Sequence, residues 1–249
     1  QRDTPRREER TEQMMDRMRY AAMIFGVTDQ TSAGVEALYL EYLDALNSHF
    51  EQYPYLLGWR PCVGDFGLLA PMYAHLGRDP YPAKIMQQRA TRVFRWVERM
   101  NRADQDAPEY FNAGTEFLSA DEVPETLVAV LKVLAKDFVP ETLAAADRIN
   151  AWLAENQPDA GSSAVGRLGQ AIGTAKFTAC GDTIEALAQP HRFYLLQRVQ
   201  DTYRALATEE KSGVDALLET CGMSALLTAE LDRRVVRSGN LEVWAEKPA

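Results

Sequence analysis

Apolar residues recur along most of this chain with the period of an α-helix. Val35, Leu38, Tyr39, Tyr42, Leu43, Leu46 and Phe50 fall at i, i+3, i+4, i+7, i+8, i+11 and i+15, one broad stripe of an amphipathic helix. Ser32 is placed to cap its N-terminus with a hydroxyl, and Pro54 follows its end. Upstream, Met14, Met18, Ala21 and Phe25 share a helical face, with Gly26 as the stop. A third helix is predicted over residues 62–75, before Gly77, and a fourth over 83–101 with Ile85, Val93, Trp96, Val97 and Met100 inward. Residues 102–120 are polar, carry Pro108 and Gly114, and read as a loop.

Leu127, Val130, Leu131, Leu134 and Phe138 then form another stripe, with Pro124 in the first turn, where its missing N–H costs little. Pro140 breaks or restarts this helix, which runs on through Leu143, Ile149 and Leu153. Pro158, Gly161, Gly166, Gly169 and Gly173 make residues 156–173 the one flexible stretch. Residues 176–187 predict a short hairpin turning at Cys180 to Asp182, pegged by Phe177, Ile184 and Leu187. Helix resumes at Pro190 with Phe193, Leu196, Val199, Tyr203 and Leu206, and two shorter helices end near Val236. The expected fold is all-α, a helical bundle over residues 1–118 and a helical extension over 119–249, with that one hairpin.

Composition narrows the functional classes. With 249 residues, 46% of them hydrophobic, the chain can bury a sizeable core. Its net charge of −9 and lack of a basic stripe argue against a nucleic-acid partner. The arginines between Arg2 and Arg19 are interleaved with Asp3, Glu8, Glu9, Glu12 and Asp16, the pattern of a solvated helix face. Cys62, Cys180 and Cys221 are odd in number and lack CxxC spacing, which argues against a disulfide framework or zinc site and for the cytoplasm or another reducing compartment. No apolar run has the length of a membrane span, and no secretory signal peptide is visible. The first residue, Gln1, is not Met, so a processed product or a piece of a longer chain is expected.

Motifs of common chemistries are missing. HExxH, ExxH, GxGxxG and Walker A patterns do not occur. The second glycine of Gly161-Ser162-Ser163-Ala164-Val165-Gly166 lies one place too far for a nucleophile elbow, and the stretch reads as loop. His49, His75 and His191 fall near predicted helix ends, where dipole complementation is the expected role. Met14, Met15, Met18 and Met23 crowd the first helix as adaptable packing side chains. Cys62 sits at a helix start, where a thiolate would be stabilised.

One segment carries a resemblance. Tyr53-Pro54-Tyr55-Leu56-Leu57-Gly58 leads through Cys62-Val63-Gly64-Asp65 into Phe66-Gly67-Leu68-Leu69. This resembles the signature of the glutathione transferase C-terminal domain, in which a Leu-Leu-Gly loop precedes Ser or Thr, any residue, Ala and Asp. The spacing from Cys62 to Asp65 is that of a capping box, with Asp65 the N3 acid. Two positions depart: Cys62 replaces the hydroxyl and Gly64 the alanine, so Asp65 carries more of the cap. Pro71 to Pro80, Val93 to Met100 and Pro190 to Asp201 look like further helices of bacterial relatives.

The resemblance implies the helical half of a glutathione transferase-like protein. That half lines the pocket of an apolar electrophile and builds oligomer contacts, either with a second copy or with another protein. Met14, Met18, Met72 and Tyr73 are the substrate-contact candidates, Cys62 and Asp65 the structural cap, and no catalytic or metal-ligating residue is assigned. Glutathione would be a co-substrate only with a thioredoxin-like N-terminal domain, and no strand pattern precedes Tyr53. The alternative is a non-catalytic structural subunit that keeps the helical half for protein contacts.

Overall fold

A computed structural model describes residues 4–103, 107–111, 114–165 and 171–247. The chain divides into two compact units, one of residues Ala37–Leu134 and one of Gln1–Glu36 with Ala135–Ala249. The helices are α1 (Thr4–Ile24), α2 (Ser32–Gln52), α3 (Val63–Pro71), α4 (Pro80–Arg89), α5 (Thr91–Met100), α6 (Glu125–Asn156), α7 (Pro190–Ala205) and α8 (Thr208–Cys221). A π-helical turn, Met72–Leu76, continues α3, and a 3-10 turn, Ser224–Leu227, follows α8.

Among the described residues four strands in two antiparallel pairs overturn the all-α expectation. The first pair, β1 (Thr174–Ala179) and β2 (Asp182–Leu187), lies where a hairpin was expected and spans more residues. Cys180 and Gly181 form its two-residue loop, both at positive φ, 56° and 83°, the combination that matches the twist of the flanking strands. Phe177 opposite Ile184 and Ala175 opposite Ala186 bury one face, packed with Val35 and Ala144. The second pair, β3 (Val235–Ser238) and β4 (Leu241–Trp244), replaces the helical end expected near Val236. Residues 161–164 run along β4: Gly161 N–H donates to Trp244 O (2.8 Å), Trp244 N–H to Ser162 O (3.0 Å) and Ala164 N–H to Glu242 O (2.9 Å). Gly166 and Gly169 of the glycine-rich stretch lie outside the described residues.

Three helical boundaries differ from the periodic pattern for local reasons. Ser32 is the first helical residue of α2 and not its cap; buried Thr31 precedes it and donates its hydroxyl to Gly26 O at 2.6 Å. The helix expected over 83–101 breaks at Ala90 (φ −132°, ψ 60°). There the Arg92 N–H donates to Asn47 Oδ1 (2.9 Å), while Arg89 grips Asp44 through two bonds of 2.8 and 2.7 Å. Pro140 does not break α6, which runs unbroken from Glu125 to Asn156.

Within Ala37–Leu134 the core gathers Leu43, Leu46, Phe50, Met86, Val93 and Trp96, with the rings of Phe50 and Trp96 stacked 5.2 Å apart. Residues 116–118 pair with the 57–59 loop: Trp59 N–H donates to Glu116 O (3.1 Å) and Leu118 N–H to Leu57 O (3.0 Å). In the other unit Ile149 and Leu153 of α6 pack with Phe193 of α7, Val235 and Trp244.

Candidate functional site

The residues that carried the sequence signature form a buried polar centre at the start of α3. Cys62 takes the extended N-cap conformation (φ −102°, ψ 175°), and Asp65 is the third helical residue. Asp65 is 0% exposed. Its Oδ2 accepts the Cys62 N–H at 2.9 Å, and its Oδ1 accepts the Leu56 N–H at 3.2 Å and the Trp96 indole N–H at 3.0 Å. One carboxylate thus ties the Leu56 loop, the first turn of α3 and the buried indole of α5. The opposite arm of the box, from the Asp65 amide to the Cys62 sulfur, is the weak one, because a thiol accepts poorly. An added methyl at Gly64 would lie 3.1 Å from Leu56 Cδ1, so Leu56 already fills the space that alanine would use.

Burial pushes the Cys62 thiol up from its ordinary value, and the neighbouring Asp65 charge adds to this, outweighing the helix-start amides. The expectation of a stabilised thiolate is therefore reversed. His49 does fall in the last turn of α2, as expected, but its ring is held inside the fold and not presented as a surface cation. It is buried, its Nε2 lies 3.2 Å from Tyr55 O and its Nδ1 2.9 Å from Thr126 Oγ1. A neutral ring satisfies both contacts, donating from Nε2 to the carbonyl and accepting the hydroxyl at Nδ1. Burial lowers its pKa, against the smaller opposing pull of Tyr55 O and Asp65. His191 sits at the start of α7 and not at a helix C-terminus, with Nδ1 2.6 Å from Glu242 Oε1.

Beside this centre lies a pair that polar letters alone place at the surface. Arg99 is buried, and donates to Glu109 Oε1 at 2.6 Å and to Pro54 O at 2.7 Å. Its guanidinium stands 5.3 Å from the Tyr55 ring centre and 5.6 Å from that of Tyr110. Burial opposes the Glu109 charge, but its own amide together with Arg99 and Arg95 outweighs that and holds the carboxyl below its usual range. These contacts fasten the 107–111 segment to α5.

The substrate-contact candidates fall in different surroundings. Met72 is 1% exposed, inside the core of its unit, and Tyr73 is half-buried beneath the Arg78 guanidinium, 4.8 Å from its ring centre. Met14 and Met18 lie on α1 in the other unit, 51% and 59% exposed. Residues 6–20 of α1 are all exposed, and Met15, Tyr20, Met23 and Phe25 extend the uncovered apolar surface. Beyond it a cavity of about 360 Å³ opens between the end of α1 and the hairpin, lined by Met23, Ile24, Thr28, Thr174, Thr183 and Glu185. Among the described residues no group of three or more His, Cys, Asp or Glu is placed to hold a metal ion. No described helix is long and apolar enough to cross a membrane.

No family model, no curated protein and no solved structure matches this chain.

Proposed function

We propose that the chain acts as the helical half of a glutathione transferase-like protein, offering an apolar contact face for an electrophilic substrate. The observation that carries this reading is the Asp65 centre. At the positions of the signature, the acid closes the cap of α3 and binds both the Leu56 loop and Trp96. Such a centre builds a scaffold and does no chemistry, so the reading assigns no catalytic residue. Glutathione would bind through a thioredoxin-like domain, whereas the described sheets are antiparallel hairpins. The contact face it uses is that of α1, with Met14 and Met18 central.

Calorimetric titration of the chain with 1-chloro-2,4-dinitrobenzene tests this. Saturable binding that is lost on the double substitution Met14→Glu, Met18→Glu supports it. Absence of binding by the folded parent refutes it.

The exposure of residues 6–20 favours a second reading, a helical subunit whose α1 serves protein contacts. An uncovered apolar patch of this kind on a folded protein commonly marks an interface. Sedimentation separates the two. Self-association abolished by the same double substitution, without electrophile binding, supports the subunit reading. A parent that stays monomeric at high concentration refutes association between copies.

A further inference from the structure

A second cavity, of about 450 Å³, lies wholly within the Ala135–Ala249 part of the chain and is lined by Leu153, Ala154, Gln157, Asp232, Arg233 and Lys247. Its volume falls in the range that holds small-molecule ligands. Arg233 is its unusual member. It is 5% exposed, and among the described residues no carboxylate pairs with it. Its contacts are backbone carbonyls: Nε and Nη2 donate to Ala245 O, and Nη1 to Pro158 O.

A guanidinium has five N–H donors. These contacts engage three of them, leaving two without an acceptor among the described residues. A buried cation is costly unless an opposite charge and full hydrogen bonding accompany it. The carbonyls supply partial charge only. The remaining charged wall is one ammonium, Lys247, and one carboxylate, Asp232, so the cavity keeps a single net positive charge. Leu153 and Ala154 make part of the wall apolar.

We propose that this cavity binds a small organic carboxylate bearing a short alkyl chain. The two carboxylate oxygens take the two unused N–H groups of Arg233, a geometry that the planar fork favours. Lys247 adds its charge at the rim, and the alkyl chain lies against Leu153 and Ala154. A phosphate dianion suits the site less well, since its second charge exceeds what the wall offers and its form leaves the apolar side empty. The site is independent of the transferase reading.

Calorimetry on the full chain with sodium hexanoate tests this, with 1-hexanol and inorganic phosphate as the other arms. Hexanoate is expected to bind saturably and more weakly as salt rises. Lys247→Ala, an exposed position, should weaken it about threefold to fivefold, the worth of a surface charge. Arg233→Lys keeps the charge, loses the fork and should weaken it further. If that variant fails to fold, Lys247→Ala and the salt series still decide. Hexanol binding as tightly as hexanoate would make this an apolar cavity and overturn the proposal. So would phosphate binding more tightly than hexanoate, or no saturable heat with hexanoate.

Discussion

Replacing Asp65 with alanine removes the acceptor of three N–H groups at once: the buried Trp96 indole and the half-buried amides of Cys62 and Leu56. A capping residue alone contributes about 1 kcal/mol. Each buried donor left without an acceptor costs about 1–3 kcal/mol, so the three together set a gross loss of at most about 3–9 kcal/mol, the half-buried amides toward the low end. Relief of the buried negative charge and entry of water into the vacated space offset part of it. The expected net loss is about 3–4 kcal/mol, a large share of a domain's stability. Asp65→Asn keeps one acceptor oxygen and should lose about half as much. Urea unfolding at neutral pH measures both variants. A cycle with Trp96→Phe isolates the indole bond, with an expected coupling of about 1 kcal/mol or more. A loss below about 1 kcal/mol for Asp65→Ala, or no coupling with Trp96, would show that the acid is a helix cap and nothing more.

His49 binds its proton less readily folded than unfolded, so the unfolded chain gains protons first as pH falls. Its stabilising contribution is complete above about pH 6.5 and declines below it, by at most about 1.4 kcal/mol per pH unit for one proton; urea midpoints across pH 5 to 8, compared with a His49→Gln variant of flatter slope, check this. Cys180→Asn places a residue suited to positive φ in the hairpin loop and should stabilise the protein by about 0.5–1 kcal/mol, read as a higher melting temperature. Cys62→Ser restores a hydroxyl acceptor at the cap of α3 and should add about 0.5–1 kcal/mol in the same assay. The parent Cys62 should react with iodoacetamide at neutral pH more slowly than a free thiol, because its thiolate is disfavoured.

Periodicity made the helices legible wherever a single apolar face meets a core, as in Leu43, Leu46 and Phe50 of α2. It reports amphipathicity and not whether anything covers the face. Met14 and Met18 therefore looked like packing residues and are exposed. The break at Ala90 is accompanied by the bond from Arg92 to Asn47, a partner 45 positions from Arg92 that no local pattern contains. β3 and β4 are four residues each, too short for alternation to stand out, although Gly239-Asn240 between them is a turn signal. At the site, the Cys62–Asp65 spacing disclosed the cap, while the bonds from Leu56 and Trp96 come from the fold. Arg99 and Glu109 carry no signal of their depth in the sequence, which assigns charge without burial.

The chain's division has a consequence for the order of its assembly. Residues 37–134 are consecutive, whereas the other unit draws on residues before 37 and after 134. Synthesis runs from the N-terminus, and local stretches order before distant ones because closing a long loop is entropically slow. The middle of the chain can therefore collapse while its companion still lacks most of its residues. Gly26, made early, meets Ile184 and Ala186 only after β2 has emerged. The edge formed by residues 161–164 stays open until Trp244 arrives. β4 is thus the clasp that completes a unit begun by α1, on the far side, in sequence, of the intervening residues 37–134.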